Sequence, residues 1–266
     1  MNLGEARIAF RPRTLAETFD LALRWVPAVG GRLYLVLGLL FLLPAAIACY
    51  LLVALAELHW VAVWCVAIML GMVLQGVFTI AASRLMFERD VTARSIASQF
   101  VRKLPSYLAA LFITRVVSGL GALTVLALPW LWAMGAFVHE ASLLEGHGAV
   151  AAVRRASAFT SRQYGNVILM GTGQLLAVFA FIASTDQVGY VLLEFVLQVG
   201  RPFGSLFDEG GSAGALIGFF AAIPFLTAVR FLMYIDGRTR RDGWDIQLAF
   251  LSVVLADERV RKEAGA

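Results

Sequence analysis

Long apolar stretches separated by short charged segments dominate this chain. Residues 33–56 and 60–83 contain no charged side chain, and only a short turn at residues 57–59 separates them. A helix of about 20 apolar residues crosses the ~30 Å of hydrocarbon in a bilayer. The two stretches therefore predict a pair of antiparallel transmembrane helices. The same criterion predicts further spans at residues 166–184 and 213–235.

The apolar region between these pairs is too long for one helix. We expect two spans here, at residues 105–119 and 122–144. The turn is predicted at Gly119 and Gly121, since glycine tolerates left-handed backbone conformations. The alternative is one span kinked at Pro129, because proline interrupts the helical hydrogen-bond ladder. A single span would reverse the orientation of everything that follows it.

The distribution of Lys and Arg predicts the orientation. With six spans and both termini in the cytoplasm, every basic residue except Arg115, Arg201 and Arg230 lies in a cytoplasmic segment. Cytoplasmic loops of membrane proteins collect Lys and Arg, so this arrangement is favoured. A single span in the middle region would move the arginines of residues 154–162 to the outside.

Two segments complete the predicted topology. Residues 189–200 are apolar but too short to cross, so they are predicted to lie on the outer surface as an interfacial segment. Residues 236–266 are predicted to form a cytoplasmic tail. The whole chain, residues 1–266, is predicted to be one all-α domain, a polytopic integral membrane helical bundle of about six transmembrane helices.

Each pair of spans is preceded by a segment with helical amphipathic spacing. The segments are residues 14–26, 92–104 and 147–162, and their apolar residues recur at the i, i+3, i+4, i+7 positions of one helical face. Thr14 and Glu17 predict a capping box at the start of the first. Two interpretations remain open for these segments. They lie in the inner membrane interface, or they form a docking surface for a cytoplasmic partner.

Composition excludes a soluble fold. The chain is 60% hydrophobic and 15% charged, with a mean hydropathy of +0.80. Soluble domains are about half apolar and about a quarter charged. The net charge of +4 is explained by basic cytoplasmic segments facing anionic lipid headgroups. The basic residues form no groove with aromatic residues, so no nucleic-acid partner is predicted.

The sequence also lacks the spacing patterns of common catalytic sites. It contains no phosphate-binding P-loop, no Gly-x-Ser-x-Gly elbow, no Cys-x-x-Cys pair and no metal-ligand spacing among its three histidines. Cys49 and Cys65 both lie inside apolar stretches, where cysteine behaves as a small hydrophobe. We therefore predict a protein that is not an enzyme and binds no cofactor and no metal.

Charged residues inside predicted spans are the candidate site within the membrane. Arg115 and Glu140 lie at similar predicted depths on neighbouring helices, so we expect them to form an ion pair. Two interpretations remain open for this pair. It is a structural ion pair that stabilises a polar interface between helices, or it is a site for a substrate or a proton. Arg230 lies near a span end and is predicted to extend towards the headgroups. Gln75 and Gln174 are predicted to form hydrogen bonds between helices.

Three segments outside the spans share the pattern of a known family. They are residues 13–20, a middle loop motif and a cytoplasmic terminal motif, and they resemble the membrane domain associated with glycerophosphoryl diester phosphodiesterases. The middle loop motif consists of Glu145, Gly146, Gly148, Arg154 and Arg155. The terminal motif consists of Tyr234, Asp236, Arg238, Arg240, Arg241, Asp242, Gly243 and Asp245.

The resemblance covers most of the chain but departs from the family pattern at two places. Asp242 stands where the family has Glu, and an Ala separates Arg155 from Ser157. In such phosphodiesterases the chemistry belongs to a separate soluble barrel, for which this chain is too short. The resemblance therefore implies a stand-alone bacterial membrane module. A scaffold or assembly subunit is the favoured function, and a transporter or channel that uses Arg115 and Glu140 is the alternative.

Overall fold

Nearly all of the described chain is helical. The computed structural model describes residues 13–88, 90–122, 128–146, 148–200 and 202–242. Four helical runs are long and apolar enough to cross a membrane, namely Leu15–Ala54, Trp60–Phe87, Tyr164–Val196 and Ala213–Arg240. The predicted helical class is therefore confirmed, and the described residues include four helices that are long and apolar enough to span a membrane.

The first helix, α1 (Leu15–Trp25), begins where the sequence indicated. Thr14 has an extended backbone and its hydroxyl accepts a hydrogen bond from the Glu17 backbone N–H. The Glu17 carboxylate accepts in return from the Thr14 backbone N–H at 2.9 Å. This reciprocal pair satisfies two backbone donors that a helix start leaves unbonded, so the predicted capping box is confirmed.

The helical path continues from α1 without a loop. A π-helical segment, Val26–Gly30, leads into α2 (Gly31–Leu37), and a second one, Gly38–Leu42, leads into α3 (Leu43–Ala54). The bend lies at Gly31, whose φ of +35° suits a residue without a Cβ atom. The predicted segments 14–26 and 33–56 are thus parts of one bent run rather than separate helices.

A similar continuity joins the next two predicted segments. After α4 (Trp60–Phe87), helix α5 (Ala93–Ala122) includes both the predicted segment 92–104 and the predicted span 105–119. Pro105 lies inside α5 and is exposed. The helix continues past it because one buried stripe extends along α5 on both sides of the proline. That stripe consists of Ile96, Phe100, Tyr107, Ala110 and Leu111.

The predicted span 122–144 is not one helix. It contains α6 (Leu128–Met134) and α7 (Val138–Leu143), which are joined by a turn. The predicted turn at Gly119 and Gly121 is wrong, because α5 remains helical through Ala122. Glycine permits a turn without requiring one, and neighbouring helical hydrogen bonds outweigh its modest propensity cost. Residues 123–127 lie outside the described part of the chain.

The second half begins with α8 (Ala149–Thr160) and the long α9 (Tyr164–Tyr190). A π-helical segment, Val191–Val196, continues α9 directly, so the predicted interfacial segment at 189–200 is largely an extension of the span. The combined run has 33 residues. At 1.5 Å per residue it is about 50 Å long, which exceeds the hydrocarbon thickness. Its end therefore projects beyond the hydrocarbon.

A small folded motif connects α9 to the last helix. Strand β1 (Gly204–Ser205) pairs antiparallel with β2 (Gly211–Ser212) around the single turn α10 (Leu206–Glu209). The indole N–H of Trp64 donates to the Gly210 carbonyl at 2.9 Å and anchors this motif to α4.

Helix α11 (Ala213–Asp242) is the centre of the bundle. Within its most apolar window 78% is buried, compared with 17–33% for the other three spanning runs. Helices α1, α3, α4 and α9 surround it. All residues from 225 to 237 are buried, so the last span and the beginning of the predicted tail form one core helix.

Candidate functional site

The polar residues of α11 form one stripe along the central helix. Arg230, Tyr234 and Arg238 are spaced four residues apart, which places them on one face. Their partners are carboxylates on and just beyond α7. The stripe therefore divides into a deep contact at Arg230 and a contact nearer the helix end at Tyr234 and Arg238.

The deep contact is a buried ion pair. Arg230 Nε donates to Glu140 Oε1 at 2.8 Å, and the two side chains are only 7% and 0% exposed. Arg230 also donates to the Gln75 side-chain oxygen and to Thr79 Oγ1. A buried ion pair is tolerated when further hydrogen bonds satisfy its charged groups. This network ties α11 to α7 and α4.

The predicted pair of Arg115 with Glu140 is wrong, because Arg230 occupies that position. Arg230, predicted to extend towards the headgroups, is instead buried. Arg115 Nε is buried and has no hydrogen-bond partner among the described residues. Depth counted along a sequence does not give the direction in which a side chain points around its helix. Here the central position of α11 brings Arg230, rather than Arg115, to Glu140.

His139 and Glu140 serve different partners although they are adjacent. The Tyr107 hydroxyl lies 2.6 Å from His139 Nδ1 and 3.0 Å from the Met72 carbonyl. The ring of His139 therefore belongs to a contact between α7, α5 and α4. The two neighbouring side chains therefore do not share a hydrogen-bond partner. Glu140 Oε2 is buried and has no hydrogen-bond partner among the described residues.

The contact nearer the helix end is organised by Glu145. Its Oε1 accepts hydrogen bonds from the Tyr234 hydroxyl and from Arg238 Nη1, and its Oε2 accepts from Arg155 Nε at 3.0 Å. Burial by itself would raise the pKa of Glu145. The hydrogen bond from Tyr234 and the charges of Arg155 and Arg238 outweigh this effect and lower that pKa below its ordinary value.

Aromatic packing fixes the position of Tyr234 beside Glu145. Its ring lies 5.1 Å from the Phe159 ring and 6.0 Å from the Phe137 ring, measured between centroids. Gly237, one turn further along α11, leaves room for Phe159. A Cβ atom there would lie 2.4 Å from the ring. The hydroxyl of Tyr234 is therefore held in place by contacts with α8 as well as by its hydrogen bond.

Asp236, on another face of α11, binds the N-terminal segment. Asp236 Oδ1 accepts from the backbone N–H of Arg13 at 2.7 Å, and Oδ2 accepts from Arg240 Nε at 2.8 Å. Arg240 also donates to the Arg13 carbonyl. The residue that precedes the capping box of α1 is thus held by the end of the central helix.

The N-terminal segment and the middle loop motif therefore each contact the terminal motif, on two faces of the end of α11. We call this contact region the three-motif junction, defined by Arg13, Glu145, Arg155, Tyr234, Asp236, Arg238 and Arg240. Two of its members that contact each other, Arg13 and Asp236, are separated by more than 200 residues of sequence. Their charged and hydrogen-bonding groups are directed at one another. The junction therefore closes one end of the bundle.

The remaining motif residues have varied positions. Gly146 has a φ of +69°, which only glycine adopts readily, and Gly148 is the extended residue before α8. Arg154 is exposed and pairs with no described residue. Arg241 and Asp242 form the last turn of α11. Gly243 and Asp245 lie outside the described part of the chain, as do His147 and Trp244.

Exposed arginines lie on α5 and α8, two helices that contact each other. Arg94, Arg102, Arg154 and Arg162 are all exposed, and none forms an ion pair with a described residue. Large apolar side chains accompany them, with Val101 62% and Val150 63% exposed. By contrast, the exposed Arg24 of α1 pairs with Asp20 at 3.2 Å. The surface formed by α5 and α8 is therefore both basic and partly apolar.

Comparison with known proteins does not assign this chain to a family. No protein-family model, curated protein or solved structure matches the chain. Among the described residues, no group of three His, Cys, Asp or Glu side chains is placed to hold a metal ion. The site is thus characterised by its contacts alone, which are an interior ion pair, a closed polar junction and an outward basic surface.

Proposed function

We propose that this chain is a non-enzymatic scaffold or assembly subunit of a bacterial cytoplasmic membrane. It crosses the membrane six times, has both termini in the cytoplasm, and recruits a partner at its cytoplasmic face. It is a relative of the membrane domain found with glycerophosphoryl diester phosphodiesterases. The observation that carries the proposal is the contrast between the closed three-motif junction and the exposed arginines of α5 and α8, which form no ion pair with any described residue.

The junction supports a structural role for the motif residues. Glu145 is shared by Tyr234, Arg238 and Arg155, and Asp236 is shared by Arg13 and Arg240. A carboxylate whose two oxygens both accept hydrogen bonds from other segments holds those segments together. The motifs therefore assemble the cytoplasmic end of the bundle and set the relative positions of α1, α8 and α11.

The basic surface on α5 and α8 is the proposed recruiting face. Arg102 and Arg154 are exposed next to Val101 and Val150. Arginine is favoured at protein interfaces because its planar guanidinium binds carboxylates through two parallel hydrogen bonds. An acidic segment of a partner protein complements this surface. Anionic lipid headgroups contact the flanking arginines by the same chemistry.

A transporter or channel for a small solute or lipid is the second candidate. The observation in its favour is the incompletely bonded interior around the ion pair. Glu140 Oε2 and Arg115 Nε are both buried without a hydrogen-bond partner among the described residues. Ionisable groups inside a membrane bundle commonly mark ion or substrate paths. Flux mediated by the purified chain alone in liposomes would favour this candidate over the scaffold.

A charge-matched pair of variants tests the recruiting face. One variant carries Arg102→Gln and Arg154→Gln, and the other carries Arg24→Gln and Arg32→Gln, which removes two exposed arginines from a different face. Each is purified from native membranes, and the complex is assessed by size exclusion and stoichiometry. We expect a defined partner to be retained by wild type and the second variant and to be lost by the first. Equal retention by both variants would contradict the proposed face.

A further inference from the structure

A half-open cavity lies at the end of the bundle opposite the three-motif junction. It has a volume of about 680 Å³ and is enclosed by the end of α9, the beginning of α11 and the β1–β2 motif. Ligand pockets typically measure about 300–1,000 Å³, so the space suits a small molecule or a lipid headgroup with part of its chains.

The two helices approach closely beneath the cavity. Gly214 and Gly218 of α11 face α9, and a Cβ atom at Gly218 would lie 2.0 Å from Thr185 Oγ1. Gly204, Ser205 and Ser212 of the β1–β2 motif line another side of the cavity. The cavity is therefore a consequence of how the chain packs at this end.

The walls are mainly apolar and open towards the lipid. Val188, Phe203, Phe207 and Ile217 line the cavity and are 45–79% exposed. Apolar side chains this exposed at the end of a spanning helix pair are suited to contact with acyl chains. A ligand in this cavity therefore has an apolar part that continues into the bilayer.

Two carboxylates line the cavity, Asp186 and Asp208, and the partly buried Asp186 defines the polar part of the site because Asp208 is exposed. Asp186 lines the cavity, and its Oδ1 accepts a hydrogen bond from Ser212 Oγ. The Ala215 backbone N–H donates to the same hydroxyl at 2.8 Å, so the serine is oriented by the first turn of α11. The Thr185 hydroxyl donates its hydrogen bond to the Phe181 carbonyl, so it is not a free donor for a ligand. No Lys or Arg occurs among the described lining residues.

We infer that this cavity binds a phospholipid whose head carries a primary ammonium group, as in phosphatidylethanolamine. The ammonium donates hydrogen bonds to the Asp186 carboxylate, and the acyl chains leave along Phe207 and Ile217. An N–H donor and a positive charge together make a charge-assisted hydrogen bond, which is stronger than a neutral one. Phosphatidylglycerol lacks the cation, and phosphatidylcholine has the cation without an N–H donor.

Lipid binding by the purified full-length chain tests this assignment. Native mass spectrometry measures the dissociation constants of dioleoyl phosphatidylethanolamine, phosphatidylcholine and phosphatidylglycerol separately. We expect the first to bind about tenfold more tightly than the other two, in line with one charge-assisted hydrogen bond. Asp186→Asn should remove this preference. The matched control Glu57→Gln removes a carboxylate that does not line the cavity and should leave it unchanged.

A second variant separates the cavity from the carboxylate. Ile217→Trp places a large ring at an exposed position of the wall, so it should weaken binding of all three lipids without unfolding the chain. Equal affinities for the three lipids in wild type would overturn the inference, as would an ethanolamine preference that survives Asp186→Asn. None of these results depends on whether α5 and α8 recruit a partner.

Discussion

Arg230 and Glu140 form an ion pair inside the bundle, with Arg230 Nε 2.8 Å from Glu140 Oε1 and both side chains nearly completely buried. The pair joins the central helix to α7, a helix of only six residues whose Val138–Leu143 side chains are all buried. Gln75 and Thr79 extend the contact to α4. A single interior charge pair thus holds three helices in register, which explains why charged residues are retained in an otherwise apolar core.

Removing one member of this pair should be strongly destabilising. Arg230→Gln leaves the Glu140 carboxylate buried without its counter-charge, and breaking buried pairs in this way costs about 3–5 kcal/mol. The free energy of unfolding in detergent micelles measures the effect. Arg115→Gln is the matched control, because Glu140 pairs with Arg230 and not with Arg115, so this substitution should cost clearly less.

A charge exchange gives a second measurement of the same contact. The double variant Glu140→Arg with Arg230→Glu should recover part of the stability that either single charge reversal loses. The corresponding exchange of Glu140 with Arg115 should recover none. Recovery by the Arg115 exchange alone would contradict the contact seen between α7 and α11.

The three-motif junction should weaken in acid. The pKa of Glu145 is lowered in the folded protein, chiefly because Tyr234, Arg155 and Arg238 oppose the effect of burial. A lowered folded-state pKa stabilises the fold fully at pH values above the unfolded-state pKa of about 4.3. This stabilisation is lost as pH falls through the lowered pKa.

Thermal unfolding as a function of pH checks this linkage. Wild type should lose melting temperature as the pH falls below about 5, whereas Glu145→Gln should start lower and lose less over the same range. Glu57→Gln, at an exposed turn, should follow the wild-type profile. A Glu145→Gln profile parallel to that of wild type would show that this carboxylate does not carry the linkage.

Close packing of α9 on α11 should make Gly218 intolerant of a side chain. A Cβ atom there would lie 2.0 Å from Thr185 Oγ1 and 2.6 Å from the Phe181 carbonyl oxygen. Gly218→Ala should therefore destabilise by about 1–3 kcal/mol, the usual cost of overpacking. Gly119→Ala provides the control, since no atom lies within 4 Å of a Cβ built there. It should be neutral or stabilising by up to about 1 kcal/mol.

Accessible cysteines test the proposed six-crossing orientation. Single cysteines at Arg24, Arg102 and Arg162, in a background without Cys49 and Cys65, should react with a membrane-impermeant thiol reagent only after the cytoplasmic side is exposed. All three positions are solvent-exposed, so access depends on the side of the membrane alone. A cysteine at Phe207, which is 79% exposed, should react from the opposite side. Reaction of position 162 from the same side as position 207 would exclude the proposed orientation.

The sequence pattern was sufficient to predict features that depend on residues close together in the sequence. The free energy of placing a segment in hydrocarbon is a sum over its own side chains, so apolar stretches such as residues 60–83 identify spanning helices without knowledge of the fold. The cap at Thr14 depends only on Glu17, three residues away. The predicted interhelical hydrogen bonds of Gln75 and Gln174 were confirmed because a polar side chain in an apolar span needs a partner.

Whether a helix continues from one predicted segment into the next was harder to predict. Gly119 and Gly121 permitted a turn, and Pro105 permitted a break, but α5 is continuous through both regions. Whether such residues end a helix depends on the packing of the flanking turns against other helices. The buried stripe from Ile96 to Leu111 decides the outcome for α5, and no local propensity indicates it.

The amino-acid sequence alone determined the helical class of this protein, the presence of helices long and apolar enough to span a membrane, and the polar groups that require partners, because solvation and capping act over short distances along the chain. Only the tertiary structure decided that Glu140 pairs with Arg230 and that the motifs at Arg13, Glu145 and Tyr234 form one junction. These contacts depend on the rotation of each helix about its axis and on α11 lying at the centre. Both follow from the simultaneous packing of all the helices.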